Sequence, residues 1–364
     1  MTIDSVPDTT FEIKVPATSA NIGPGFDSLG LAFSLYLSLH NPTLCAVFDR
    51  SVTLEYTDPQ NNQGLPLRPS QNLITKTAWY VLRCHGYLAF PRFVAITVTN
   101  PIPLSRGLGS SGAAVVAGVL LANEVAGLNL PKDRLLDFAL AIERHPDNVS
   151  AALLGGFVAS YLRDDDTASN TKALEGPFQP NDKINSHTDA FAPSAVAPRM
   201  PPSQVSRHVS LPWSAGIRAI TVIPQFQLST AKARAVLPQT YSRADLVYNL
   251  QRLAVLTHAL GQSSPDAKLI HEAMSDRSHQ PYRADLVPGL QVLLTTMVPD
   301  TTPGLLGACL SGAGPTVLIL ANDHFEAIAQ KACTIFAEYN VATKSLILDV
   351  IQDGSTCKPC SATQ

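Results

Sequence analysis

Residues 105–112, Ser-Arg-Gly-Leu-Gly-Ser-Ser-Gly, place three glycines and three serines directly ahead of an alanine- and valine-rich run. That run reads as a helix from about Ser111 to Ala126, closed by Gly127. A helix N-terminus presents unpaired N–H groups and the positive end of its macrodipole, so bare backbone at that point suits an anion. A tight turn with no ligand is the other reading. Gly107, Gly109 and Gly112 match the dinucleotide pattern G-x-G-x-x-G. However, Pro101–Arg106 separates strand from loop, and the acid in range, Asp133, begins a helix, so the context of a dehydrogenase is missing. No Gly-Lys-Ser/Thr follows, which removes the Walker A reading. Two further segments have the same make-up. Residues 16–30 set Ser19, Asn21 and Asp27 among Gly23, Gly25 and Gly30, and residues 310–316 read Leu-Ser-Gly-Ala-Gly-Pro-Thr. Three such loops point to one polyanionic ligand and the partner it reacts with.

These loops need elements to hold them. Phe11–Val15 and Leu31–Leu39 read as strands around a loop at 18–30, and Arg92–Thr99 as a β-branched strand. Helices are expected at Asn72–Tyr87 and Leu135–Glu143; the second stops before Pro146, which disfavours helical geometry at His145. A short helix and a strand at Phe157–Leu162 follow. Residues 164–208, rich in Pro, Ser, Asp and Ala and without periodicity, read as a flexible insertion or linker. Beyond it come a strand at Ile217–Ile223 and a capped helix at Arg243–Leu260, with Leu246, Leu250 and Leu253 on one face. A helix near 286–297, another at 325–338 and a strand near 344–351 complete the chain. The irregular alternation favours an α+β protein over a doubly wound sheet. Three segments are expected: an N-terminal domain over 1–163, the insertion at 164–208, and a C-terminal domain over 209–364 with a polar tail.

Composition narrows the function. With 45% apolar and 15% charged residues among 364, the chain has material for two cores. A net charge of −3, from 29 acidic and 26 basic residues, argues against a nucleic-acid partner. No apolar run is long enough to cross a bilayer, and the first ten residues lack a signal-peptide pattern. The six scattered cysteines suit reduced thiols in the cytoplasm; Cys357-Lys-Pro-Cys360 has redox-motif spacing but lies in the polar tail.

Taken together, the three loops resemble the GHMP kinases. "PIPLSRGLGSSGAAVVAG" looks like that family's phosphate loop and "SGAGPT" like its third motif. "VPATSANIGPGFDSLGLAFSLY" is similar to the homoserine-phosphorylating branch, as are "IERHPDNVSAALLGG", "LSTAKARAVLP" and "HQPYRADLVPG". The resemblance implies a two-domain α+β fold: an N-terminal domain of the ribosomal S5 domain-2 type, and a ferredoxin-like C-terminal domain. It further implies ATP and Mg²⁺ as cofactors, transfer of phosphate to the side-chain hydroxyl of L-homoserine in threonine biosynthesis, and a homodimer. A kinase for another small hydroxyl compound and a non-catalytic ATP or amino-acid sensor are the competing readings.

On this resemblance, Asn72, Pro103, Arg106, Gly107, Leu108, Gly109, Ser110, Ser111 and Gly112 belong to the ATP site, and Ser111 with Glu143 to Mg²⁺. Asn21, Asp27, His145, Asn148, Arg234 and Arg283 belong to the substrate, the two guanidinium forks suiting its carboxylate. Thr230, one turn before Arg234, faces the same way. Asn72, and Asp147 or Asn148, also read as N-caps. Mevalonate-type relatives carry an aspartate base where Asn148 stands here, and an amide takes no proton. Direct in-line attack is therefore expected, with Asp27 as fallback base.

Overall fold

The computed structural model describes residues 10–45, 52–58, 62–91, 93–163 and 198–360; Arg92 and the bulk of the expected insertion lie outside them. β1 (Phe11–Asn21) and β2 (Gly25–Cys45) form a long antiparallel hairpin. The stretch expected as a loop at 18–30 is therefore mostly strand. Register shifts after Pro16 and after Ala20 absorb the proline and the sharp turn, and Asn21, Ile22, Gly23 and Asp27 take positive φ there.

β2 pairs with β4 (Phe93–Thr99), and β4 carries β3 (Val52–Tyr56) in parallel. That parallel pair needs a crossover, which α1 (Leu73–Cys84) supplies. β5 (Phe157–Leu162) pairs with the start of β2 and with β6 (Ser206–Leu211), while β11 (Thr356–Pro359) adds to the outer edge of β1. Thus 206–208 is strand rather than insertion, and the expected polar tail completes the first sheet, with Cys357 opposite Ile13. An edge strand needs only one apolar face, so its polar composition hid it.

α2 (Ser110–Val125), α3 (Lys132–Glu143) and α4 (Pro146–Leu154) pack with α1 over this sheet. α2 is apolar nearly all round and nearly all buried, as a central helix must be. It approaches α1 closely at Gly118, where a Cβ would stand 2.3 Å from the Ile74 carbonyl oxygen.

A second, antiparallel sheet has the order β10 (Thr343–Leu348), β7 (Arg218–Pro224), β9 (Val317–Ala321), β8 (Leu305–Leu310). Helices lie between β7 and β8 and between β9 and β10, the ferredoxin-like arrangement. Period-two alternation sends its residues into two cores. Ala219, Ile223, Leu318 and Leu320 join the core of the first sheet, together with residues of α6 (Arg243–Ala259) and α7 (Ala267–Ala273). Ile220, Val222, Val317 and Ile319 face α9 (Leu290–Thr296) and α10 (Phe325–Glu338). The expected single helix near 286–297 is broken before Gly289, whose φ is +90°.

The leucine face expected on α6 is corrected. Leu246 and Leu250 are each 55% exposed, whereas Asn249, Leu256 and Ala259 are buried. Periodicity gives the angle between apolar residues, not the face that the core accepts.

Candidate active site

The three glycine loops converge on one cleft of about 470 Å³. Their backbones are tied together. The Gly312 amide donates to the Ala20 carbonyl at 3.1 Å, Thr18 to Leu108 at 3.2 Å, and Thr316 to Arg106 at 3.2 Å. The Ser311 hydroxyl donates to the Gly107 carbonyl at 2.6 Å, which leaves Ser19 to donate to Ser311 at 2.8 Å. Gly107 has φ +83°, and a Cβ there would lie 2.4 Å from the Ser311 carbonyl oxygen. Such close approach explains why bulk is missing from all three segments at once.

α2 starts at this junction. Its N-cap, Gly109, has φ +69° and no side-chain cap, and the first turn holds no acid. The first helical bond runs from Ala113 N–H to the Gly109 carbonyl, so the amides of Ser110, Ser111 and Gly112 have no helical acceptor. An anion is the natural partner for them. Beside them the Ser111 hydroxyl donates to Glu143 Oε2 at 3.1 Å. Burial pushes the Glu143 carboxyl up, while Ser111 and the charge of Arg234 oppose it. These two oxygen ligands side by side fit a hard cation shared with phosphate; among the described residues no cluster of three His, Cys, Asp or Glu side chains offers a self-sufficient metal site.

α4 forms the neighbouring wall. The expected cap at Asp147 or Asn148 falls instead on His145, which makes no side-chain cap bond. Pro146 at the first helical position puts the start of the helix two residues earlier than a cap on Asp147 would. Asp147 is buried and accepts from the Asn148 amide at 2.7 Å. Burial, and then the charge of Asp27, push it up to about 7. The Asn148 side-chain oxygen accepts from Thr18 Oγ1 at 2.8 Å. Burial, then the charge of Arg234, pushes His145 down.

The opposite side brings two arginines to the hairpin turn. Arg234, on α5 (Thr230–Ala235), grips both oxygens of Asp27 at 2.6 and 3.1 Å, with both side chains one third exposed. Its Nε is buried and has no partner among the described residues. Arg283 ends α8 (Gln280–Arg283) and is 1% exposed. Its Nε donates to the Ala233 carbonyl, and its Nη1 to the Gly312 carbonyl and to His279 Nδ1. Burial, then the Arg234 charge, lowers it to about 10. Both guanidinium groups stand over Phe26, at 5.5 and 5.3 Å from the ring centre. Asn21 accepts from the Asp27 amide and donates to the Gly312 carbonyl, which leaves one N–H and one lone pair of its side chain over.

Of the residues singled out in the sequence, Asn21, Asp27, Asn72, Arg106, Gly107, Gly109, Ser110, Ser111, Gly112, Glu143, His145, Asn148, Thr230, Arg234 and Arg283 line this cleft. Pro103 and Leu108 do not; Leu108 belongs to the core. Asn72 caps α1, and its amide group also donates to Tyr56 and to the Pro66 carbonyl. Sequence reasoning missed Phe26, Tyr56 and Asp147 as cleft residues. Phe26 was signalled only by its place beside Asp27, and Tyr56 by the alternation of the unread strand β3.

The comparisons with known proteins agree with this architecture. The family description "GHMP kinases N terminal domain" matches residues 72–156, and "GHMP kinases C terminal" matches residues 256–338. The chain belongs to the GHMP kinase family. The homoserine kinase of Saccharomyces cerevisiae is 49% identical over 358 residues, spanning 95% of this chain and 98% of that protein. That of Schizosaccharomyces pombe is 47% identical over 354 residues, spanning 96% and 98%. The crystal structure of homoserine kinase from Cytophaga hutchinsonii superposes with a TM-score of 0.73 at 25% identity, covering 98% of this chain and 99% of that one.

Proposed function

We propose that this protein is a homoserine kinase, transferring the terminal phosphoryl group of ATP to the side-chain hydroxyl of L-homoserine and so serving threonine biosynthesis. The observation that carries the reading is the pairing of an uncapped helix start with two cleft-lining arginines, one of which keeps a buried Nε that has no partner among the described residues. A phosphate chain suits the first and a small carboxylate the second. Homoserine kinases similar along nearly the whole chain supply the substrate's name.

In this reading the amides of Ser110, Ser111 and Gly112 hold the phosphates, with Arg106, Gly107 and Gly109 shaping the loop. Ser111 and Glu143 hold Mg²⁺, which neutralises phosphate charge when bound. Arg234 and Arg283 take the substrate carboxylate, and Asn21, Asp27 and His145 surround its ammonium and hydroxyl ends. Asn148 and Thr230 orient the hydroxyl for in-line attack. A loose phosphoryl-transfer transition state asks for position and charge neutralisation more than for early deprotonation. Both oxygens of Asp27 accept from Arg234, so Asp27 places that arginine as well as facing the ammonium, and the in-line reading asks no proton transfer of it. A homodimer and a cytoplasmic location belong to the same proposal, on family resemblance.

The test is ADP formation with Mg²⁺ and L-homoserine, mevalonate, galactose or L-serine in turn. Turnover with homoserine alone is expected. Turnover with a substrate lacking a carboxylate would break the assignment of the two arginines, and silence with all four would leave a sensor.

A further inference from the structure

Behind Arg283 lies a polar network that the proposed chemistry does not use. His279 is fully buried, and its two ring nitrogens have partners that each allow one role. Nε2 stands 2.8 Å from the Gly23 carbonyl oxygen, which only accepts, so Nε2 carries the hydrogen. Nδ1 stands 3.1 Å from Arg283 Nη1, which only donates, so Nδ1 is the acceptor. The imidazole is therefore neutral and held in one tautomer, and its 3.5 Å approach to Asp276 is no ion pair. Its face is stacked against Phe26 at 5.3 Å between ring centres, 23° from parallel.

The backbone of His279 is fixed as firmly as its ring. One carboxylate, Asp276, accepts from the amides of Ser278, His279 and Gln280 at 2.8, 2.9 and 2.8 Å, from the Ser278 hydroxyl at 2.6 Å and from Asn249 of α6 at 2.6 Å. His279 thus joins two parts of the cleft that are far apart in the chain: the hairpin turn that carries Phe26 and Asp27, and the Arg283 guanidinium. Arg283 has committed Nε to Ala233 and Nη1 to Gly312 and His279; its Nη2 takes none of these bonds.

We infer that His279 is a positioning residue: its Nδ1 holds the Arg283 guanidinium in the orientation that receives the substrate carboxylate, while its Nε2–H fixes the hairpin turn at the matching distance. This rests on the reading of Arg283 as a carboxylate ligand given above.

The experiment is steady-state kinetics on the full-length chain carrying His279→Gln, His279→Asn, Arg283→Gln, or the first and third together. Glutamine places a donor where Nε2 stands but leaves Arg283 without its acceptor; asparagine places an acceptor where Nδ1 stands. His279→Gln is expected to raise KM for L-homoserine about tenfold, with kcat and KM for ATP within about twofold. His279→Asn is expected to recover KM to within about threefold of the original. In an Arg283→Gln background, His279→Gln should add less than about twofold, because the contact it removes is already gone. The inference is overturned if His279→Gln moves KM for ATP as much as that for homoserine, if asparagine does no better than glutamine, or if the two substitutions multiply. If Arg283→Gln alone leaves KM for homoserine unchanged, the carboxylate assignment falls and this inference falls with it. A large effect of Arg283→Gln without the His279 pattern removes only the latter.

Discussion

Gly109→Ala tests how the helix start is built. Gly109 sits at φ +69°, where an alanine pays about 1–2 kcal/mol of left-handed strain. Its new Cβ would stand 2.0 Å from Thr18 Oγ1 and 3.1 Å from Asn148 Oδ1. Overpacking of that kind costs about 1–3 kcal/mol. Thr18 must also turn away, losing its hydrogen bond to Asn148, worth about 1 kcal/mol. The single variant should therefore lose about 3–6 kcal/mol of stability in urea unfolding, and its KM for ATP should rise as the loop amides shift. Thr18→Ala alone should cost about 1 kcal/mol. In the double variant the obstructing hydroxyl is gone and the lost hydrogen bond counts once, so the total should fall short of the sum by about 2–4 kcal/mol. Additivity within about 0.5 kcal/mol would refute this account of why the position is glycine.

Three further outcomes are expected. Asp147 is protonated up to about 7 in the fold but only to its ordinary 3.8 when unfolded. Between those values the folded state holds a proton that the unfolded chain has shed, so stability falls as pH rises through the window. Asp147→Asn should therefore gain stability relative to the unmodified protein on going from about pH 5 to about pH 8, by on the order of a few kcal/mol, and denaturant midpoints at the two pH values measure it. The same variant should keep kcat within about tenfold; loss of a general base costs about a hundredfold or more, and such a loss would make Asp147 the proton acceptor. Asp27→Asn should raise KM for homoserine while changing stability by less than about 1 kcal/mol, because its ion pair with Arg234 is one third exposed; abolished turnover at unchanged KM would make Asp27 the base. On α6, Leu256→Ala should cost about 2–5 kcal/mol and Leu250→Ala under about 0.5 kcal/mol, by chemical denaturation, and equal losses would reverse the assignment of the buried face.

Chemistry-bearing loops were legible in the sequence because their requirements are local. A helix start open to an anion needs glycine and serine within a few residues, and 105–112 declares that without any partner in view. The boundaries of α10 and β5 were legible for the same reason, since apolar periodicity and turn residues bracket them. Residues 18–30 read as loop because glycine and proline weaken any strand signal. Only pairing across the hairpin, with its two register shifts, makes them strands. Likewise Thr356–Pro359 has no strand signal of its own and becomes one by adding to β1.

The sequence by itself determined which groups are present, their order along the chain, and the helix that begins at Ser110. Only the tertiary structure decided that Asp27 meets Arg234, that Asp147 lies buried beside them with its pKa raised, and that His279 holds Arg283. Those facts depend on distances between residues as many as 207 positions apart, and on the loss of water around them. Burial and charge at close range are properties of the packed molecule, and no spacing along the chain encodes them.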